Sequence, residues 1–288
     1  MHPGASPRTL AAMLATLILV FREVLEAALI VSIVAAATRG VPGRGGWIGA
    51  GIGLGVLGAC LVALFAGAIA DTMSGMGQEW FNAVVLLAAV VMIGWHVIWM
   101  ARHSRELTAQ MKAVGADVSS GHRPMTALLV VVAIAVLREG SEVVLFGYGL
   151  FAGGSSVGAL VLGGVLGLAL GVALGFALYF GMLAIPMRHL FSTTNGLLVL
   201  LAAGMASQAA GKLVQADALP ALVDTLWDSS WLLSDDGWLG RTLHVLIGYT
   251  AQPSGIQLVF YAATLVLLLV GMRLSSRPAS PVPARAAA

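Results

Sequence analysis

The pattern Arg-Glu-x-x-Glu occurs twice, each time inside a long apolar run: Arg22-Glu23-Val24-Leu25-Glu26 and Arg138-Glu139-Gly140-Ser141-Glu142. A charged side chain at mid-membrane costs roughly 2.5–3.5 kcal/mol on insertion scales. Six such charges must pair with each other, meet water, or hold something the protein carries. The rest of the chain leaves little room for a soluble fold. Of its 288 residues 59% are hydrophobic and only 10% charged, with a mean hydropathy of +0.95. Soluble domains are about 25% charged, so the chain reads as an all-α polytopic membrane protein. A net charge of +2 gives no reason to expect nucleic acid. The single cysteine, Cys60, excludes an internal disulfide.

A span needs about 20 apolar residues. Seven segments qualify: 9–37, 47–70, 80–101, 124–150, 157–185, 193–215 and 255–274. The first run continues well past its charged motif, too long for the apolar region of a signal peptide, so it is expected to be a retained span. Between the sixth and seventh spans lies a longer loop, 216–254, and a Pro/Ala/Ser-rich tail, 275–288, is expected to be disordered on the cytoplasmic side. The membrane domain is thus 1–274. Ten basic residues fall on one side: Arg39, Arg44, Arg102, Arg105, Lys112, Arg123, Arg188, Arg273, Arg277 and Arg285. Only Arg8, Lys212 and Arg241 fall on the other. The excess of Lys and Arg on cytoplasmic loops predicts N-terminus out and C-terminus in. Acidic residues show the reverse bias, with Asp71, Glu79, Asp217, Asp224, Asp228, Asp235 and Asp236 outside.

The motifs lie on spans 1 and 4, which run in opposite directions. Small residues recur every fourth position on span 2 (Gly51, Gly55, Ala59, Ala63, Gly67) and again on span 5 (Gly163, Gly167, Gly171, Gly175). Spans 3 and 6 align Asn82 with Asn195 and Met92 with Met205. The ordered set predicts a three-plus-three inverted repeat, about 9–101 and 124–215, with a seventh span outside it. Transporters of this architecture place their site between the repeats near the midplane. The small-residue stripes themselves read as close helix packing in lipid. Gly49-x-Gly51-x-Gly53 lies within a span and is no dinucleotide fingerprint.

Glu23 and Glu26 share one helix face, as do Glu139 and Glu142, while Arg22 and Arg138 each sit four residues before a glutamate. If the motifs meet, four carboxylates converge beside two guanidiniums, with a net charge of −2. One divalent cation neutralises that cluster; a trivalent one leaves +1. Carboxylates suit hard cations. Two other readings use the same residues: interhelical Arg–Glu pairs that lock the fold without metal, and a proton relay through the surplus glutamates. Di-iron bundles carry Glu-x-x-His pairs, which neither motif supplies, and no hydrolase constellation is present, so an enzyme is not expected.

Doubled Arg-Glu-x-x-Glu on spans 1 and 4 of a seven-span chain resembles the oxidase-dependent iron permease family, which includes fungal high-affinity and bacterial elemental-iron permeases. Leu226-Trp227-Asp228, Gly248-Tyr249 and Pro253-Ser254-Gly255-x-Gln257 resemble its bacterial branch. The resemblance implies iron import across the bacterial cytoplasmic (inner) membrane, with Glu23, Glu26, Glu139 and Glu142 as metal ligands and Arg22 and Arg138 as their charge partners. It implies iron, Fe(II) or Fe(III), as transported substrate rather than a resident cofactor. It also implies a separate ferroxidase or periplasmic iron-binding protein as partner. The family often has Gly-Leu between the glutamates; here Val24-Leu25 and Gly140-Ser141 stand there. A proton-coupled transporter or exporter of another divalent metal is the main alternative.

Secondary candidates are fewer. His96 on span 3, flanked by Trp95 and Trp99, either lines the pathway or bonds a neighbour. Met92 and Met100 share its face and read as packing; Gln208 is a polar outlier on span 6. In the 216–254 loop, Trp227 with Trp231 and Asp224 with Asp228 have helical spacing, which predicts a short interfacial helix. Asp224, Asp228, Asp235 and Asp236 are alternatively an acidic funnel for cations. His103, His122 and His189 are expected as solvated residues of the inner face.

Overall fold

The structure, a computed structural model, describes residues 7–73, 77–180, 187–235 and 237–275. Those residues form eight helices and no strand: α1 (Pro7–Ala37), α2 (Arg44–Met73), α3 (Gln78–Ser119), α4 (Thr126–Ala152), α5 (Val157–Tyr179), α6 (Met187–Gln215), α7 (Trp238–Ile247) and α8 (Gly255–Ser275). Five are long and apolar enough to cross a membrane, over Arg44–Ala68, Gln78–Met100, Val157–Tyr179, Thr193–Gln215 and Gly255–Ser275. α1 and α4 have the length but not the uniform apolarity. Any 18-residue stretch of α1 includes at least two residues of its charged motif, and any such stretch of α4 includes all three charges of its own.

Packing exchanges the halves of the chain. α1 lies along α5, α2 along α4, and α3 along α6. The small-residue stripes are where these pairs touch. A Cβ at Gly167 would sit 2.6 Å from the Leu17 carbonyl oxygen and 2.9 Å from the Phe21 nitrogen. At Gly55 it would sit 2.6 Å from Val136 Cβ and 2.8 Å from the Ala133 carbonyl oxygen. The absent side chains let backbones approach, which substitutes for the hydrophobic drive that lipid cannot supply. The main core gathers Leu19, Leu86, Ile93, Phe146 and Leu198 between α1, α3, α4 and α6. A smaller cluster joins Val34, Ile48, Val118, Leu128 and Val132.

Two expectations about loops need correction. Residues 102–119, expected as a loop, continue α3, and Ser119 Oγ donates to the Ala37 carbonyl at 2.8 Å to tie that extension to the end of α1. Residues 224–231 are not helical; the loop's helix is α7, further along. Asp228 explains the difference. Its carboxylate accepts from Ser230 N at 2.9 Å and Ser230 Oγ at 2.5 Å, a local turn that competes with helix. α5 ends at Tyr179 rather than reaching 185, and 181–186 lie outside the described residues.

The 216–254 segment folds as a cap that returns the chain to the bundle. Leu226 N donates to Pro253 O at 2.9 Å and Ser229 N to Ala251 O at 3.0 Å. α7 packs on α1 and α6 and closes on Gly248, at φ 74°, whose backbone passes Gly204 of α6 without room for a side chain on either. α8 then opens with Gln257 reaching back over Ser254, one arm of a capping box. Gln257 Oε1 accepts from Ser254 N at 3.0 Å and from Ser254 Oγ at 3.2 Å.

Candidate functional site

α1 packs against α4, and their two charged motifs, each near the middle of its helix, meet there, with α3 and α6 bringing His96 and Asn195 to them. Arg22, Glu23, Glu26 and Glu139 are all buried, Arg22 at 1% exposure. Such burial is sustained only by partners. Arg22 Nη1 donates to Glu23 Oε1 at 2.5 Å, and Nη2 reaches Glu26 Oε1 at 2.7 Å and Asn195 Oδ1 of α6 at 3.0 Å. Arg138 is held differently. Its Nε lies 3.3 Å from Glu142 Oε1 and 3.8 Å from Glu139 Oε1, and its guanidinium stacks 4.1 Å over the Trp99 ring. The i,i+4 pairs expected within each motif are both present.

His96 of α3 enters between the motifs, 2% exposed. Its Nδ1 abuts Glu142 Oε2, and its Nε2 faces Glu26 Oε2 at 4.0 Å. Glu23, His96, Glu139 and Glu142 each offer one ligand atom, all within 4.8 Å of one another. That spacing is open to a single metal ion. Glu23 Oε2 and Glu139 Oε2 are buried and accept no hydrogen bond. The tightest group therefore differs from the four glutamates expected: His96 stands in it, and Glu26 lies beside it on Arg22.

Two openings reach the cluster. A cavity of about 230 Å³ is lined by Val91, Met92, Trp95, His96 and Glu142. Another, of about 750 Å³, has Glu23 and Glu139 among its lining residues.

Other expected residues stand apart from the cluster. Asp224, Asp228 and Asp235 are exposed. Asp228 also accepts from Gln252 Nε2 at 2.9 Å, and Asp235 accepts from Ala251 N at 2.9 Å, so both hold the cap together. The hydrogen bonds from Ser230 and Gln252 keep the Asp228 carboxyl below its usual pKa. Asp236 lies outside the described residues, as do the side chains of Asp71 and His189. His103 stacks on Trp99 at 4.7 Å and His122 meets Ser120 at the surface. Asn195 and Trp99 were not singled out as partners of the arginines. The only signal for Asn195 was its alignment with Asn82, and for Trp99 its place one turn from His96.

The iron permease FTR1 family matches residues 12–277, from the second turn of α1 to beyond the end of α8. The chain belongs to the iron permease FTR1 family. Curated relatives agree. A protein of Shigella sonnei, "Ferrous iron permease EfeU", is 32% identical over 266 residues, covering 90% of this chain and 95% of its own length. Proteins of the same name from Escherichia coli O6:K15:H31 and Yersinia pestis are 33% and 30% identical, over 90% and 88% of this chain. No solved structure matches it significantly. As an FTR1-family member the chain is an integral membrane permease whose transported ion is iron, and not an enzyme.

Proposed function

We propose that the chain imports iron across the bacterial inner membrane through one binding site formed by Glu23, Glu139, Glu142 and His96, with Glu26 as an adjoining ligand. Two observations together carry this: Glu23, His96, Glu139 and Glu142 each offer one ligand atom within 4.8 Å of the others, and Glu23 Oε2 and Glu139 Oε2 are buried and accept no hydrogen bond. A buried carboxylate oxygen without a donor costs on the order of 1–3 kcal/mol or more. A cation among these oxygens removes that cost. Surplus carboxylate argues against a purely structural lock: Arg22 and Arg138 reach one oxygen of each glutamate, His96 faces the second oxygens of Glu26 and Glu142, and those of Glu23 and Glu139 have no donor.

The ion is Fe(II). Two arginines and four glutamates sum to −2, which a divalent ion neutralises. His96 adds a borderline donor to the hard carboxylates, a mixture that suits Fe(II). The relatives' name, ferrous iron permease, agrees with this choice. α1 and α4 span with the five apolar helices, giving seven spans with the N-terminus out. The charges on α1 and α4 are tolerated because they face each other and α3, not lipid. Iron arrives at the cap side as Fe(II), from a separate periplasmic iron-binding protein, and leaves inward as the two halves shift about the site.

Uptake of iron into proteoliposomes by the wild type and by Glu23→Gln, Glu139→Gln and Glu142→Gln tests the proposal. Loss of uptake in folded variants supports it; full uptake in all three rejects the site.

A further inference from the structure

The larger cavity meets the charged cluster only at Glu23 and Glu139, and the construction of the rest of it points to another ligand. α1–α5 and α2–α4 are two close pairs that meet along α1 and α4, while α2 and α5 scarcely touch. The gap between α2 and α5 is this cavity of about 750 Å³. Apart from Glu23, Ser32, Cys60, Glu139 and Tyr179, every side chain lining it is aliphatic, phenyl or absent. Its α2 wall runs from Ile52 to Ala63, a rise of about 16 Å, close to half the roughly 30 Å hydrocarbon thickness.

One end of the groove is basic. Tyr179 and Ala35 line that end, and two arginines gather on them. The Arg39 guanidinium lies 5.4 Å from the Tyr179 ring centroid. Arg44 Nη1 donates to the Ala35 carbonyl at 2.5 Å, and Nη2 reaches the Tyr179 hydroxyl at 3.4 Å. None of these partners is a carboxylate, so both positive charges stay uncompensated among the described residues. Arg39 is exposed, and Trp47, in the first turn of α2, is half-exposed nearby in sequence, as expected at headgroup level.

We propose that this groove binds an anionic phospholipid, with its phosphate between Arg39 and Arg44 and one acyl chain lying between α2 and α5. The chain length matches one leaflet, the walls match hydrocarbon, and the arginines match the headgroup charge. The lipid chain then seals the Glu23 and Glu139 side of the charged cluster against the bilayer. This rests on the membrane placement of α1, α2, α4 and α5, and it stands whether or not the cluster takes iron.

Native mass spectrometry of the purified full chain tests it, with phosphatidylglycerol and phosphatidylcholine of identical acyl chains added in equal amounts. Basic side chains near an anionic surface each contribute on the order of fivefold, so phosphatidylglycerol should be retained roughly tenfold or more over phosphatidylcholine. Arg39→Gln with Arg44→Gln should abolish that preference, and Arg39→Lys with Arg44→Lys should restore most of it. Val165→Trp, at an exposed groove position, should lower retention of both lipids while the protein stays folded. Equal retention of the two lipids by the wild type overturns the headgroup assignment. Unchanged retention in Val165→Trp overturns the groove, and so does a stable dimer that excludes lipid, since a second copy would then be the occupant.

Discussion

His96 of α3 lies against Glu142 of α4 while its other ring nitrogen faces Glu26 of α1, so one imidazole touches both charged motifs. The residue of α6 that follows Asn195 as His96 follows Asn82 is Ala209, fully buried and apolar. α3 and α6 thus differ at the proposed site, where a borderline ligand would change the metal preferred.

Replacing His96 by Ala should lower iron uptake by roughly 10–100-fold, the range for losing a group that holds or orients a metal. Uptake at a series of iron concentrations, with a folding check by size-exclusion chromatography, measures this. Normal uptake in a folded variant would show that the imidazole only packs.

Asn195 is expected to act through Arg22. Its amide oxygen takes one of the Nη2 hydrogens, and a hydrogen bond to a charged group contributes about 1.5–3 kcal/mol. Asn195→Ala should therefore lower thermal stability in detergent by that order and weaken iron binding less than loss of a glutamate does. Asn82→Ala should do neither.

The close helix pairs predict a contrast between glycines. Gly167→Ala drives a methyl into the Leu17 carbonyl and should destabilise by about 1–3 kcal/mol or prevent folding. Gly164→Ala, three residues away with nothing within 4 Å, should be near neutral. Melting temperatures of the two purified variants compare them directly.

The cap should respond to acid. Hydrogen bonds from Ser230 and Gln252 hold the Asp228 pKa below its unfolded value of about 3.9. A group depressed in this way contributes stability above its unfolded pKa and loses it as pH falls through the folded one. Limited proteolysis within 225–235 should rise as pH drops below about 4, and Asp228→Ala should show the raised cleavage at neutral pH. Equal cleavage of wild type and variant at neutral pH would show that Asp228 does not hold the cap.

That the two charged motifs come together was legible because charge in an apolar run is expensive; that His96 joins Glu23, Glu139 and Glu142 in the tightest group, with Glu26 beside it, was not. The close pairs α1–α5 and α2–α4 were legible in part, since the glycine stripes marked the faces but not their partners. His96 was visible only as an outlier, because a single buried histidine carries no spacing that distinguishes a ligand from a packed side chain. The continuation of α3 through 102–119 was hidden by its polarity, which ends a membrane span without ending a helix. α7 was misplaced because the four-residue spacing of Trp227 and Trp231 ignores Asp228, whose bonds to Ser230 settle that segment as a turn.

Anomalous scattering at the iron absorption edge, from the protein loaded with Fe(II), measures most directly whether one ion occupies the charged cluster. The account predicts a single strong peak among Glu23, His96, Glu139 and Glu142, lost in Glu139→Gln. A peak at the external cap with none between the motifs would contradict it.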